Sequence, residues 1–170
     1  MNPAIVSLLR TRLVHLYIFL FCGVLLGFAY YMQYFHNMEP CPLCIMQRVF
    51  FFASGFAALA AFIHNPQAKG VRIYGFGTAA LALAGSGFAL RQIYLQNLPE
   101  DLIPQCLPSI SYMLESDFPL SEVVTVLFAG DGNCADVLWV DPVLGLGFPQ
   151  WAVACFAMIA ATGIYQALRK

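Results

Sequence analysis

The sequence predicts an all-α integral membrane protein, a bundle of four transmembrane helices with a short first and a long second external loop. Of its 170 residues, 61% are hydrophobic and 10% are charged, and the mean hydropathy is +0.74. A soluble domain carries roughly 45–50% apolar and about 25% charged residues, so this chain has too little polar surface for water. Eight basic and nine acidic residues leave a net charge of −1, which excludes a basic nucleic-acid-binding surface.

Each predicted span is an apolar run of about 20 residues, the length that crosses a hydrocarbon core of roughly 30 Å. The spans are expected at residues 13–32, 44–63, 73–90 and 149–168 of one domain, residues 1–170. The third run is rich in glycine, which allows helices to pack closely in lipid. The first run is too long for the apolar part of a signal peptide and lacks a cleavage site, so we expect it to remain as an anchor.

The distribution of charge predicts the orientation of the bundle. Six of the eight basic residues precede the first span, separate the second from the third, or follow the fourth: Arg10, Arg12, Lys69, Arg72, Arg169 and Lys170. All nine acidic residues fall in the other two connections, residues 33–43 and 91–148. The positive-inside rule then places both termini in the cytoplasm and the two acidic loops outside.

The six cysteines divide by topology. Cys22 and Cys155 lie within spans, where a thiol behaves as a small hydrophobic group. The other four are external: Cys41, Cys44, Cys106 and Cys134. Four thiols in an oxidising compartment suggest two disulfides, and the simplest pairing is Cys41–Cys44 with Cys106–Cys134.

The Cys41–Cys44 pair has the spacing of a redox centre, since its small loop adds little stability as a structural bridge. The proline between the two cysteines can open the second helix and place Cys44 in its first turn, where free amides favour a thiolate. Arg48 lies one turn deeper on the same face, with Gln47 and Phe51 nearby. This pattern predicts a site for a lipid-soluble ring with a polar head. The alternative is a structural disulfide above an arginine that reaches the lipid headgroups.

The second pair lies in the long loop. Two prolines flank Cys106, so the strip that runs from Leu102 to Pro108 is expected to be extended and accessible, and to fit the groove of a partner. Cys134 follows a Gly-Asp-Gly-Asn sequence that predicts a mobile turn. A disulfide that only ties the loop together is the alternative for this pair.

A short amphipathic helix is predicted between Cys106 and Cys134. Its apolar residues recur at helical spacing: Leu120, Val123, Val124, Leu127 and Phe128. Acidic residues flank this stretch, so we expect the helix to lie on the outer leaflet of the membrane.

The Cys-Pro-Leu-Cys-Ile-Met-Gln-Arg sequence of residues 41–48, the four spans, the second external pair and residues 139–151 resemble the DsbB family of bacterial inner-membrane disulfide-forming proteins. The resemblance implies that reduced DsbA, a periplasmic thioredoxin-like oxidase, docks around residues 102–108 and attacks Cys106 of the Cys106–Cys134 disulfide. The Cys41–Cys44 disulfide would then reoxidise the loop pair. Cys44, as a thiolate, would pass two electrons to ubiquinone, or to menaquinone without oxygen.

The resemblance also implies the residues of the quinone site. Arg48 would stabilise both the Cys44 thiolate and the charge that develops on the quinone oxygen. The expected quinone-binding residues are Cys44, Gln47, Arg48, Phe51, Arg91 and Gln92, and no metal is expected. Some family members carry a histidine where this chain has Gln92, which can donate a hydrogen bond but cannot titrate near neutral pH.

Three other functions fit the sequence less well. A quinone reductase similar to vitamin K epoxide reductase carries its Cys-x-x-Cys late in the chain, whereas this pair precedes the second helix. A zinc site would use the four external thiolates, but the second close pair of a zinc ribbon is missing. A channel is disfavoured because no acidic or basic residue lies deep within a span.

Overall fold

The computed structural model describes residues 3–108, 110–116 and 119–168. Its six α-helices, in chain order, are α1 (Pro3–Phe35), α2 (Pro42–His64), α3 (Ala68–Gln96), α4 (Ile110–Glu115), α5 (Leu120–Ala129) and α6 (Phe148–Leu168). Glu100–Leu102 and Gly132–Cys134 each form a single 3₁₀ turn. The described residues contain no β-strand, only an isolated antiparallel bridge between Val140 and Gly147.

Four of the helices are long and apolar enough to cross a membrane, which confirms the predicted fold class. The candidate spans are Arg12–Phe35, Pro42–His64, Lys69–Gln96 and Phe148–Leu168. Each exceeds its predicted apolar run at one end or both, because a helix continues past the hydrocarbon core while its backbone hydrogen bonds are satisfied within the helix. Arg169 and Lys170, which support the predicted orientation, lie outside the described residues, so the orientation stays a prediction.

The start of α2 is built by the sequence around the first cysteine. Cys41 is extended, with φ −65° and ψ 161°, and its sulfur accepts a hydrogen bond from the Cys44 amide at 3.3 Å. Pro42 occupies the first turn, where its missing amide leaves no donor unsatisfied. Because the cysteine itself caps the helix, Cys44 is held in the first turn.

The spans pack in the order α1, α2, α3 and α6, since α2 contacts α1 and α3, and α3 contacts α6. The shared core contains residues from all four: Ile18, Cys22, Phe51, Ala58, Ala82, Cys155, Phe156, Ile159 and Ala160. At its centre the rings of Phe51 and Phe156 stack with their centroids 3.9 Å apart. Cys22 and Cys155 therefore lie in apolar surroundings, although Cys155 also faces a cavity described below.

Glycines bring α3 and α6 into backbone contact. A Cβ placed on Gly163 would lie 2.7 Å from the carbonyl oxygen of Gly75, and a Cβ on Gly75 would lie 2.7 Å from the carbonyl oxygen of Gly163. Farther along α3, Gly85 accommodates the ring of Phe156. The glycine-rich composition of the third span thus serves close helix packing, as small residues do in lipid.

The predicted helix in the long loop is present as α5. Val123, Val126 and Leu127 pack on Ile110 and Met113 of α4, a helix that the sequence did not predict. Leu120, Val124 and Phe128 belong to the same predicted face but are exposed. Because α4 covers part of this face, some of its apolar residues are buried against α4 and the others are exposed. Contact of the helix with the outer leaflet stays a prediction.

We expect Gly163→Ala to lower the free energy of unfolding by about 1–3 kcal/mol, the usual cost of overpacking, because the new methyl group meets backbone atoms of Gly75 and Ala79. Thermal unfolding in detergent measures the change. Gly77→Ala is the matched control on α3, since its Cβ would have no neighbour within 4 Å. Equal stability of the two variants would contradict the close α3–α6 packing.

Candidate functional site

Three cysteine sulfurs lie together where the loops meet the start of α2. The Cys41 sulfur is 2.7 Å from the Cys44 sulfur and is also in hydrogen-bond contact with Cys134. All three are free thiols in this structure. Cys41 and Cys134 are buried, with 6% and 0% of their surface exposed. The structure thus brings Cys134 against Cys41, a contact between the two loops that the sequence did not predict.

These contacts shift the pKa values of Cys41 and Cys134 in opposite directions. Hydrogen bonding to Cys134, then to Cys44, together with burial, raises the pKa of Cys41 far above its ordinary value. The hydrogen bond with Cys41 is the largest influence on Cys134 and lowers its pKa, against the effect of burial. Of the two, Cys134 is therefore the sulfur that ionises more easily.

The turn before Cys134 is fixed by close packing on α2 and α3. Gly130 has φ +77° and lies so near Leu43 that a Cβ would be 2.8 Å from its Cδ1 atom. Leu95 of α3 closes the other side. Only glycine combines this backbone angle with this approach. The turn that the sequence predicted to be mobile is instead buried, because its glycines let the backbone pack against the bundle.

Cys106 is exposed within residues 103–108, which contain no helix or strand, whereas Leu102, the first residue of the predicted extended strip, ends a 3₁₀ turn. The strip is bound to the turn before Cys134, since the Gly132 amide donates to the Gln105 carbonyl at 3.3 Å. A Cβ on Gly132 would lie 2.7 Å from the Cys106 sulfur. Cys106 therefore lies beside the turn that carries Cys134, and the disulfide between them stays a prediction.

Two buried glutamines lie beside Cys44: Gln92 of α3 contacts its sulfur, and Gln47 of α2 contacts Gln92. Gln92 donates from Nε2 to the Cys44 sulfur at 3.3 Å. Gln47 donates from Nε2 to Gln92 Oε1 at 2.7 Å, which fixes the orientation of the Gln92 amide. Gln47 and Gln92 are 6% and 4% exposed. The arrangement directs an N–H group at the sulfur, and such a donor favours the thiolate.

Arg48 is held by α1. Its guanidinium donates to Gln33 Oε1 and, at 3.3 Å, to the carbonyl oxygen of Ala29, and it lies 5.1 Å from the centroid of the Tyr30 ring. Both acceptors are neutral, so these hydrogen bonds orient the charge without cancelling it. A fixed positive charge in apolar surroundings stabilises a negative charge that forms nearby.

A cavity of about 340 Å³ opens beside Cys44, between α1, α2, α6 and the adjoining loops. Cys44, Gln47, Arg48 and Phe51 line its α2 side. Apolar side chains form most of the remaining wall: Leu25, Leu26, Phe28, Met32, Met38, Leu138, Trp139, Phe148 and Trp151. The carboxylates of Glu39 and Asp141 also reach it. A mostly apolar cavity of this size with a few convergent polar groups is typical of a small-molecule site.

The predicted site residues divide into two groups. Cys44, Gln47, Arg48 and Phe51 line the cavity together, and Gln92 lies behind Cys44. Arg91 is exposed, donates from Nε to the Ala129 carbonyl at 3.3 Å and lies over the Tyr94 ring. It is absent from the cavity wall, so its contact with a quinone stays a prediction.

Sequence reasoning did not single out Gln33 or Asp131. A polar residue such as Gln33 near the end of an apolar run was a usable signal, because an amide there needs a partner. Asp131 looked like an ordinary turn residue, and only its burial distinguishes it.

The comparisons with known proteins agree with one another. A family model described as disulfide bond formation protein DsbB matches residues 11–166. The chain is 41% identical over 162 residues to disulfide bond formation protein B of Hahella chejuensis, covering 95% of this chain and 96% of the relative. It is 45% identical over 159 residues to disulfide bond formation protein B of Saccharophagus degradans, covering 94% of each.

In the fully reduced chain, we expect a water-soluble maleimide to label Cys106 well before Cys41 and Cys134, because only Cys106 of these three is exposed. Quenched time points followed by peptide mass spectrometry measure the order. Labelling in denaturant is the control, and there the three rates should become similar. Native labelling of Cys134 as fast as that of Cys106 would contradict the buried turn.

Proposed function

Because the chain belongs to the DsbB family of disulfide bond formation proteins, we propose that it is a thiol:quinone oxidoreductase that reoxidises DsbA. The two electrons would pass to ubiquinone, or to menaquinone without oxygen. One observation carries the proposal: Cys44 contacts the Cys41 sulfur and also lines the cavity that contains Arg48. A sulfur in this position can exchange electrons with protein thiols on one side and with a lipid-soluble acceptor on the other.

The cavity fits a quinone in size and chemistry. Its walls are mostly apolar, as a hydrophobic ring and tail require, and Arg48 and Gln47 supply donors for a ring oxygen. Phe51 provides an aromatic face whose position is fixed by stacking on Phe156. When bound, the quinone supplies an acceptor for two electrons and two protons.

The groups around Cys44 would keep its sulfur ionised. Cys44 lies in the first turn of α2, near the positive end of the helix dipole, which favours a negative charge. Gln92 donates directly to the sulfur, and Gln47 keeps the Gln92 amide in that orientation. We therefore assign Gln92 to the thiolate, in contrast to the quinone contact expected from the resemblance. Arg48 would stabilise negative charge on both the sulfur and the quinone oxygen.

The contacts among the cysteines support a specific route for thiol exchange. A DsbA thiolate attacks the exposed Cys106 of the Cys106–Cys134 disulfide, and Cys134 leaves. The Cys134 sulfur then attacks Cys41, and the Cys41–Cys44 bond breaks with Cys44 as the leaving thiolate. Cys134 is placed for this step because it contacts Cys41. The second DsbA thiol resolves its mixed disulfide with Cys106, and DsbA leaves oxidised. The Cys106 thiolate then attacks Cys134, which re-forms the Cys106–Cys134 disulfide and leaves Cys41 and Cys44 as the reduced pair.

The proposed location is the bacterial inner membrane, with both termini in the cytoplasm and the cysteine-bearing loops in the periplasm. Four candidate spans and the family support a multi-pass membrane protein. The strip at residues 102–108 is the proposed docking site for DsbA, because it presents the exposed Cys106 on a segment free of helix and strand that a groove can bind.

Cys44→Ser should abolish quinone reduction, because serine cannot form the disulfide that accepts electrons from the loop pair. The measurement mixes a trace of detergent-purified protein with reduced DsbA and ubiquinone and follows the loss of quinone absorbance. Cys22→Ala, a change in the bundle core, should keep turnover and serves as the control. Full turnover by Cys44→Ser would defeat the proposed route.

Arg48→Ala should lower kcat/KM for the quinone about 100-fold, the usual effect of removing one preorganised electrostatic donor. Arg48→Lys should recover part of the loss, since it keeps the charge but cannot reach both Gln33 and the Ala29 carbonyl in the same way. Arg72→Ala, an exposed arginine on α3, is the matched control. An unchanged quinone kcat/KM in Arg48→Ala would remove Arg48 from the site.

A further inference from the structure

Asp131 is a buried carboxylate that takes no part in the proposed thiol exchange between the cysteines. It precedes the 3₁₀ turn that carries Cys134, and 2% of its surface is exposed. Its Oδ2 atom accepts hydrogen bonds from the Leu107 amide at 3.2 Å and from Asn133 Nδ2 at 2.6 Å. Its Oδ1 atom accepts from the Cys134 thiol at 3.6 Å. One oxygen therefore binds the strip beside Cys106, and the other contacts the sulfur of Cys134.

Among the residues that the structure describes, two titratable groups contact Cys134. Cys41 contacts it from the loop before α2, with Cys44 beyond, and Asp131 contacts it from its own turn. The side facing α3 is closed by the apolar residue Leu95. Because Cys134 is fully buried, bulk water has no direct access to its thiol proton. In this structure Cys134 is a thiol that donates to Asp131 Oδ1. Once the Cys134 sulfur released from Cys106 has taken up this proton, the proton must leave again before the sulfur can attack, since the thiolate is the nucleophile.

We propose that Asp131 is the general base of the exchange between the two cysteine pairs. This role rests on the proposed function, in which Cys134 attacks Cys41. The Cys134 thiol gives its proton to Asp131 Oδ1, and its sulfur forms a bond to Cys41. The Cys41–Cys44 bond breaks, and Cys44 departs with the electron pair as a thiolate. The disulfide bond thereby moves from Cys41–Cys44 to Cys41–Cys134 without any added oxidant.

Removing the charge of Asp131 distinguishes a general base from a carboxylate that acts only as a neighbouring negative charge. A negative carboxylate beside Cys134 disfavours the thiolate, so the charge of Asp131 acts to raise the pKa of Cys134. If Asp131 were only a neighbouring charge, its neutralisation would increase the thiolate fraction and accelerate exchange. If Asp131 is the base, the same change slows exchange.

Asp131→Asn separates these possibilities because it preserves the contacts to the strip. The Leu107 amide and Asn133 Nδ2 both donate to the Oδ2 position, so they select the amide oxygen of asparagine there. The new NH₂ group then occupies the Oδ1 position and cannot accept a proton. Asp136→Asn is the matched control, since Asp136 is an exposed carboxylate two residues after Cys134.

The test uses the full chain in detergent with Cys106→Ser, so that Cys134 keeps a thiol beside the Cys41–Cys44 disulfide. A jump from pH 5 to a final pH between about 6 and 10 shifts the thiol–disulfide equilibrium. Acid quenching, alkylation and peptide mass spectrometry then count the free thiols at Cys44 and Cys134 over time. Neither DsbA nor quinone is present, so the measurement reports this exchange alone.

We expect Asp131→Asn to slow the exchange about 100-fold near pH 7, which is within the range of general-base contributions. Near pH 10 its exchange rate should approach that of the Cys106→Ser chain that retains Asp131, called the Asp131 chain here. Asp136→Asn should match the Asp131 chain throughout. Equal or faster exchange in Asp131→Asn at pH 7 would overturn the role, and so would a loss of equal size at every pH. No exchange in the Asp131 chain at any pH would instead overturn the proposed Cys134–Cys41 route, and the role of Asp131 with it.

Discussion

The contact of Cys41 with both Cys44 and Cys134 is the interaction on which the other parts of the site depend. It joins a sulfur in the first turn of a membrane-spanning helix to a sulfur in a long external loop. Disulfide exchange requires direct contact between sulfurs, so electrons can pass between the loops only where such a contact forms. The packing of Gly130 on Leu43 and Leu95 serves this contact, because it brings the Cys134 turn down onto the bundle.

The bilayer imposes a second constraint on the same site. A charged or polar side chain near the hydrocarbon region must have a partner, and such groups are typically functional. Arg48 meets this requirement with neutral acceptors on α1, and Gln47 and Gln92 meet it with each other and with Cys44. Each group is thus bonded while its charge or donor stays available. In the proposed function this arrangement would stabilise a thiolate and a reduced acceptor, since the hydrogen-bond acceptors of Arg48 among the described residues are neutral.

The loop cysteines differ in a way that suits successive steps. Cys106 is exposed, where a soluble partner can reach it. Cys134 is buried, in contact with Cys41 and Asp131, where water and foreign thiols are excluded. In the proposed route this division would make the first exchange intermolecular and the second intramolecular, and it would limit loss of electrons to other thiols.

The sequence alone determined the four spans, the division of the six cysteines into two within spans and four in the loops or at the start of α2, and the placement of Cys44 and Arg48 on one helix face. Composition, helical periodicity and proline position are local properties, so they can be read without a structure. The partner of Cys41 across the loops, the support of Arg48 by Gln33 and the burial of Asp131 were decided by tertiary structure. They depend on how α1, α3 and a loop of more than fifty residues pack against α2, and no local pattern encodes the distance between segments so far apart in the chain.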